Sequence, residues 1–197
     1  MYFVPSSDMK KTIEQIFAES IEVKQGTLKK NLSEIIGTVE AIIAAFRSGH
    51  KLFFCGNGGS AADCQHIAAE FVGRFQKERK AWPAIALTTD SSALTALGND
   101  YSFDIVFSRQ LQALGQKGDV LIAISTSGNS KNVLEALKQA KSMGITTVGV
   151  TGGSGGQLAA LCDIPIVAAS SKTARIQESH LVIFHAICEL VENALTS

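Results

Sequence analysis

Apolar residues in the first fifty positions recur with the spacing of an α-helix. One set lies between residues 8 and 30 and a second between residues 32 and 48, and their apolar members are Ile13, Ile16, Phe17, Ile21, Ile35, Ile36, Val39, Ile42, Ile43 and Phe46. This period predicts two amphipathic helices. Both precede the first predicted strand, so their apolar faces need a surface to cover, and another subunit could supply it.

From Lys51 onward the pattern changes to short apolar runs separated by helical stretches. The predicted strands are residues 51–55, 84–87, 120–124, 146–150 and 164–167. One intervening helix is predicted over residues 131–143, and a long terminal helix over residues 173–195. Apolar strands alternating with helices are typical of βαβ units, in which helices cover both faces of a parallel sheet. We therefore predict an α/β fold and one domain spanning residues 1–197, without an internal linker.

Composition narrows the possible functions. Lys plus Arg equals Asp plus Glu at 18 each, so the formal net charge is zero. A nucleic-acid surface needs a basic excess, and we predict no nucleic-acid partner. The four cysteines form no CxxC pair, which favours reduced, buried thiols. The sequence contains neither a signal-peptide pattern nor an apolar run of membrane-spanning length, so we predict a cytoplasmic protein with no membrane partner.

Two turns after predicted strands have the composition of an anion site. Residues 56–60, Gly-Asn-Gly-Gly-Ser, follow the first strand, and residues 125–130, Ser-Thr-Ser-Gly-Asn-Ser, follow the third. Glycines let the backbone approach a ligand, a helix N-terminus offers N–H groups, and hydroxyls add donors without charge. Either turn alone could simply cap a helix. Together, at the carboxyl ends of strands in one sheet, they favour a phosphate monoester. For a third turn, residues 151–156, we favour a structural role.

A dinucleotide site is the main rival interpretation of the first turn. Gly56, Gly58 and Ala61 occupy the three positions of a GxGxxG/A motif. That motif requires an acidic residue about twenty positions later. Glu78 comes too early and Asp90 too late, so the sequence makes no strong case for NAD. The GxxxxGK[ST] motif of P-loop proteins is absent.

Six motifs together identify a family resemblance. They are CGNGGSAAD at 55–63, QHIAAEF at 65–71, ALTTD at 86–90, GND at 98–100, STSGNS at 125–130 and RIQESH at 175–180. In order and spacing they resemble the sedoheptulose-7-phosphate isomerases of the sugar isomerase (SIS) domain superfamily. The resemblance implies a three-layer αβα fold with a five-stranded parallel sheet, and a homotetramer in which residues 1–50 pack between subunits. It also implies synthesis of D-glycero-D-manno-heptose 7-phosphate, the first step towards ADP- or GDP-heptose for lipopolysaccharide or other glycans.

The resemblance also assigns roles to individual residues. It implies a phosphate cradle, further substrate contacts, a pair that contacts sugar hydroxyls, a zinc site with one ion per subunit, and an acid/base pair. The cradle is Ser60, Ser125, Thr126, Ser127 and Ser130; the further substrate contacts are Asn57, Gly58, Gly59, Glu70 and Gln177; the hydroxyl pair is Asn99 and Asp100; the zinc ligands are His66, Glu70, Gln177 and His185; and the acid/base pair is Glu70 and His185.

The chemistry of ketose–aldose isomerisation suits these residue types. Moving a proton between adjacent carbons through an enediol needs a base at carbon and an acid at the oxygens, and a metal could polarise the carbonyl. His66 and Glu70 lie four residues apart, which puts them on one helix face, although such a pair alone is more often an ordinary polar contact. His180 competes with His185 on geometric grounds, and only the resemblance selects His185. Glutamine is an unusual zinc ligand.

Two other functions are open at this point. The superfamily includes a non-catalytic protein that binds the bacterial replication initiator and lacks the acid/base carboxylate and the terminal-helix histidine. Glu70 and His185 are both present in this chain, which favours the enzyme. The third candidate, a sugar-phosphate sensor in a transcription regulator, would need a DNA-binding domain for which this chain has neither room nor basic charge.

Overall fold

A computed structural model describes residues 6–196 and consists of seven α-helices and five β-strands in that range. The helices are α1 (Ser6–Arg47), α2 (Gly59–Val72), α3 (Ser91–Asp100), α4 (Val106–Leu114), α5 (Lys131–Ser142), α6 (Gly156–Leu161) and α7 (Thr173–Leu195), and the strands are β1 (Leu52–Gly56), β2 (Ala84–Ala86), β3 (Val120–Ile124), β4 (Thr146–Gly152) and β5 (Ile164–Ala168). A short 3-10 turn, Phe103–Ile105, precedes α4. The predicted α/β fold is confirmed, and strand and helix limits differ from the predictions by at most a few residues.

The five strands are all parallel, in the order β2-β1-β3-β4-β5. After β1 the chain runs outward to β2 and then returns to β3 on the other side of β1. This reversal makes the carboxyl ends of β1 and β3 a topological switch point, where ligands bind in open α/β sheets. Gly56 pairs with Ile124 in the register, so the turns that follow these residues leave the sheet side by side.

Helices cover both faces of the sheet, as the continuous apolar character of the strands requires. Phe54 and Ile122 lie in the core formed with α1, α2 and α7, whereas Phe53 and Leu121 lie in the core formed with α4, α5 and α6. Adjacent residues of each strand thus face opposite layers. The three-layer αβα architecture follows. No helix among residues 6–196 is long and apolar enough to cross a membrane.

The two predicted N-terminal helices are the two halves of α1, which bends at Asn31. The backbone of Asn31 is non-helical (φ −126°, ψ 19°), and its side chain pairs with the edge strand β5 while also donating to the Thr27 carbonyl of α1 at 2.7 Å. Its amide nitrogen donates to the Val167 carbonyl at 3.0 Å, and its amide oxygen accepts from the Val167 N–H at 2.8 Å. Asn31 thus covers part of an otherwise unpaired sheet edge and fixes α1 to the sheet.

Candidate active site

The two Gly/Ser-rich turns are joined by a pair of amide side chains. Asn57 in the first turn and Asn132 at the start of α5 exchange two hydrogen bonds, each 2.9 Å long. Asn132 is buried, and its oxygen also accepts the Val133 N–H at 3.0 Å. The sequence interpretation did not single out Asn132; its signal is only a position two residues after Ser130. The reciprocal pair therefore fixes the distance between the two turns that form the predicted phosphate cradle.

Three hydroxyls of the second turn gather at its centre. Ser125 Oγ lies 3.0 Å from Ser130 Oγ and 3.4 Å from Ser127 Oγ. Thr126 is half-buried between them, and Ser60, at the start of α2, is buried. The turn therefore presents neutral donors at the carboxyl end of β3, next to the N-terminus of α2, which follows β1. This arrangement suits an anion.

Glycine is required at two positions for different reasons. Gly58 has φ +55°, a left-handed conformation that lets the backbone turn directly into α2. Gly128 has φ +68°, and a Cβ there would collide with the carbonyl of Gly155 in the third turn. The third turn thus packs against the second, consistent with the structural role predicted for it.

The side chain of Gln177, from α7, lies against the beginning of α2. A Cβ on Gly59 would collide with the Gln177 amide nitrogen, so α7 approaches the first turn closely at this point. The glycine that opens α2 therefore makes room for a side chain from the terminal helix. This contact places Gln177 next to the first turn, and its predicted roles towards substrate and zinc stay predictions.

His66, Glu70 and His185 come together between α2 and α7. His66 Nε2 lies 3.2 Å from Glu70 Oε1, and both side chains are partly open to solvent. The His185 ring meets the His66 ring edge to face, with centroids 5.3 Å apart, and also contacts Phe75 at 5.7 Å. The structure thus joins one carboxylate and two imidazoles from helices that are distant in sequence.

His180 faces the core and not this cluster. It is fully buried, and its Nε2 lies 2.9 Å from the Thr151 carbonyl oxygen. Burial lowers the pKa of His180 to about 4, although the contact with Thr151 opposes that shift. The ring is therefore neutral at physiological pH. Of the two competing histidines on α7, only His185 contacts the ring of His66, which in turn contacts Glu70.

Asp63 is a further acidic residue on α2 that the sequence interpretation did not assign. One of its carboxylate oxygens is buried without a hydrogen-bond partner within residues 6–196. Burial raises the pKa of Asp63, while the charge of nearby His66, one helical turn on, lowers it. The i, i+3 spacing to His66 was the available sequence signal.

Asn99 and Asp100 form a pair of neighbouring polar side chains. They are exposed at the end of α3, and Asn99 Nδ2 donates to Asp100 Oδ1 at 2.9 Å. In the described part of the chain, their side chains hydrogen-bond to no other predicted site residue. Their role towards sugar hydroxyls stays a prediction.

The four predicted zinc ligands lie on α2 and α7, and the zinc site stays a prediction. Across residues 6–196, no three His, Cys, Asp or Glu side chains are arranged to hold a metal ion. His66 and Glu70 contact each other, and the His185 ring packs against the His66 ring.

A large apolar groove lies elsewhere, between α1 and α7. Its volume is about 410 Å³, and its lining includes Leu28, Leu32, Ile36, Val182 and Leu190. These side chains are about half exposed. Lys24, Gln25, Thr27 and Ser179 also line the groove, but none of the predicted site residues does, so it is not the predicted site.

Comparison with known proteins places the chain in one family. Residues 15–152 match the family model described as the SIS domain. The phosphoheptose isomerase of Clostridium acetobutylicum is 51% identical over 189 residues, covering 95% of this chain and 96% of the relative. Two solved phosphoheptose isomerases have nearly the same fold. The one from Neisseria gonorrhoeae has a TM-score of 0.89 at 44% identity, covering 94% of this chain and 99% of its own. The one from Francisella tularensis has a TM-score of 0.90 at 36% identity, covering 96% and 100%.

Proposed function

The chain belongs to the phosphoheptose isomerases of the SIS domain family, and we propose that it isomerises sedoheptulose 7-phosphate to D-glycero-D-manno-heptose 7-phosphate. The observation that carries this proposal is the cluster of Glu70, His66 and His185 beside two Gly/Ser-rich turns joined at the sheet switch point. A neutral phosphate cradle and an acid/base pair are the two parts that this reaction requires.

The two Gly/Ser-rich turns would bind the phosphate group of the substrate. Backbone N–H groups at the start of α2 and the hydroxyls of Ser125, Ser127 and Ser130 would donate to the phosphate oxygens. These donors are neutral, so the site would bind the phosphate dianion without a positively charged side chain. The reacting carbons of the sugar then point towards α7, where His185 lies.

The reaction moves one proton between carbons and one between oxygens. A base removes a proton from C1 of the ketose, which gives an enediol across C1 and C2, and that proton is returned to C2. The O1 hydroxyl proton passes to O2 as the aldehyde forms at C1. Glu70 and His185 fill the two roles of carbon base and oxygen acid between them. His66, in contact with Glu70, holds the carboxylate in place.

The presence of Glu70 and His185 also distinguishes this enzyme from the non-catalytic relative that binds the replication initiator. All three relatives described above are named as phosphoheptose isomerases. No observation favours the initiator-binding alternative.

The test is direct turnover of sedoheptulose 7-phosphate, with the aldose product followed by NMR. We expect conversion by the wild type, and Glu70→Gln and His185→Gln each to lower kcat by a hundredfold or more, the usual contribution of general acid/base catalysis. His50→Gln is the control, because His50 lies at the opposite end of β1 beside Asp119. No turnover by the wild type, with or without added zinc, would overturn the proposal, and wild-type rates in both variants would remove the acid/base assignment.

Zinc binding by His66, Glu70, Gln177 and His185, one ion per subunit, is a separate proposal. Two imidazoles and a carboxylate close together support it, although side chains would have to rotate to converge on one ion. Elemental analysis of protein purified without chelators should give about one zinc per chain, and His66→Gln should abolish it. Protein that is fully active and free of zinc would contradict it.

A homotetramer is supported by the apolar side chains that α1 leaves exposed. Ile13, Phe17 and Ile21 are 55%, 67% and 55% exposed, and they continue towards the apolar groove between α1 and α7. Contiguous exposed apolar surface marks an interface. Light scattering should give four times the chain mass of 20.9 kDa. Phe17→Glu should lower it, and Gln139→Glu, on α5 in the other helical layer, should not.

Location and partners complete the proposal. We propose a cytoplasmic enzyme that acts on a small sugar phosphate. The zero net charge agrees with the absence of a nucleic-acid partner. Fractionation of cells that express a tagged chain tests the location, and recovery in the membrane or secreted fraction would contradict it.

A further inference from the structure

The segment between α2 and β2, residues 73–83, folds around one buried ion pair. Arg79 and Glu192 expose only 4% and 2% of their side chains, and Arg79 Nε lies 3.0 Å from Glu192 Oε1. The Glu192 carboxylate also accepts three consecutive backbone N–H groups, those of residues 75, 76 and 77, at 3.1, 2.8 and 2.9 Å. The ion pair therefore anchors the segment to α7, which carries Glu192.

The remaining nitrogens of Arg79 hold the end of α2. Nη2 donates to the Glu70 carbonyl at 2.8 Å, and Nη1 donates to the carbonyls of Phe71 and Gly73 at 2.9 and 3.1 Å. The guanidinium lies over the Trp82 ring, 3.7 Å from its centroid. Carbonyls in the last helical turn lack helical partners and carry partial negative charge, which a cation stabilises. Arg79 thus caps the helix at the turn that contains Glu70.

The Arg79–Glu192 ion pair is also connected to His185, through Glu192 and Phe75. Glu192 follows His185 by seven residues, two helical turns, and so lies on the same face of α7. It holds the N–H of Phe75, whose ring contacts the His185 ring at a centroid distance of 5.7 Å. One ion pair is therefore connected to the backbone of Glu70 and to the ring that packs on His185.

We propose that Arg79 is a positioning residue for the isomerisation and that its ion pair with Glu192 sets the separation of the Glu70 carboxylate and the His185 imidazole. This inference rests on the proposed function. Arg79 acts through the carbonyl of Glu70 and through Phe75, since its guanidinium contacts neither catalytic side chain. A displacement of about 1 Å in a reacting group can lower a rate about a hundredfold.

A purely structural ion pair would behave differently on mutation. Removing one partner of a buried pair leaves an uncompensated charge and destabilises the fold, whereas replacing both partners by neutral groups often restores stability. Arg79→Lys keeps the charge but loses the planar fork that reaches several carbonyls. The double variant Arg79→Met/Glu192→Gln removes both charges. These two variants separate positioning from stability.

The experiment measures kcat, KM and the unfolding midpoint for wild type, both variants and Arg47→Lys. Arg47 is a matched control, because it also donates to a helix carbonyl, that of Ala194 at 3.3 Å, but at the far end of α7. In parallel, NMR records the ring proton shifts of the four histidines, with His185 assigned from His185→Gln. The His185 shift reports the Phe75 ring without requiring turnover.

We expect both Arg79 variants, while fully folded, to lose tenfold or more in kcat with KM changed less than about twofold, and the His185 resonance to move. Arg47→Lys should match wild type in all three measurements. Wild-type kcat in folded Arg79→Lys, recovery of kcat along with stability in the double variant, or an unmoved His185 resonance would each overturn the proposal. Wild type without turnover would instead refute the proposed function, and the resonance alone would then decide whether Arg79 positions His185.

Discussion

Breaking the Asn57–Asn132 pair should weaken substrate binding while leaving the chemical step nearly intact. Asn132 touches no predicted catalytic residue, and it joins the turn after β1 to the start of the helix after β3. Asn132→Leu removes both amide hydrogen bonds at similar volume. Asn132→Asp keeps an acceptor for Asn57 but sets two oxygens against each other and adds a negative charge beside the anion cradle.

The size of the effect follows from the contacts. Two amide hydrogen bonds contribute about 1 kcal/mol each, and a polar group left unpaired in a partly buried position costs about 1–3 kcal/mol. The Val133 N–H keeps its bond to the Ser130 carbonyl at 3.1 Å, so it adds no further loss. Asn132→Leu should therefore lower the free energy of unfolding by about 3–5 kcal/mol. If 1–2 kcal/mol of this loss appears in binding, KM rises about five- to thirtyfold.

Steady-state kinetics and inhibition by inorganic phosphate provide the assay. For Asn132→Leu we expect the KM for sedoheptulose 7-phosphate and the inhibition constant for inorganic phosphate to rise by similar factors, with kcat within about threefold of wild type. Asn132→Asp should raise both further, because its charge repels the dianion. Gln139→Glu, which adds the same charge elsewhere on α5, should leave both unchanged. A less stable Asn132→Asp variant with wild-type KM and phosphate inhibition would refute the reasoning.

Three further predictions concern stability and are measured by urea unfolding. Burial raises the pKa of Glu192, but its hydrogen bonds from backbone N–H groups and from Arg79 outweigh this and hold the pKa below its usual range. The stability that these bonds contribute is therefore present above about pH 4.3 and is lost as the pH falls through the lowered pKa. Glu192→Gln should be less stable than wild type at pH 7, and a stability difference that does not narrow on acidification would contradict this. Burial lowers the pKa of His180 to about 4, against about 6.5 in the unfolded chain. The free energy of unfolding of the wild type should therefore fall by about 3 kcal/mol as the pH is lowered from about 6.5 to about 4. An equal loss in His180→Gln would rule out His180 as the source. Asn31→Ala should lower the free energy of unfolding by about 2–3 kcal/mol, since the Val167 N–H and carbonyl lose their partner at the sheet edge; an unchanged midpoint would show that Asn31 does not support β5.

Much of the candidate site was predictable from short motifs, and some of it was not. The turns at 56–60 and 125–130 identify themselves because glycine and serine have local conformational and hydrogen-bonding properties. Asn132 and Arg79 carry no such local signal. Their importance depends on partners far away in sequence, such as Asn57 for Asn132 and Glu192 for Arg79.

The sequence by itself determined the periods of the helices and strands, the α/β class and the positions of the Gly/Ser turns. Each of these depends on residues within one or two helical turns or one strand. The break in α1 at Asn31 falls between the two predicted N-terminal helices for the same reason.

Only the tertiary structure decided which of these pieces meet. Strand order depends on packing across the whole sheet, and it is the order β2-β1-β3 that puts the two turns side by side. The rotation of α7 against its neighbours turns His180 into the core and His185 towards His66, although both histidines lie on one helix. A period of 3.6 residues defines the faces of a helix, but the layers packed around it decide what each face touches.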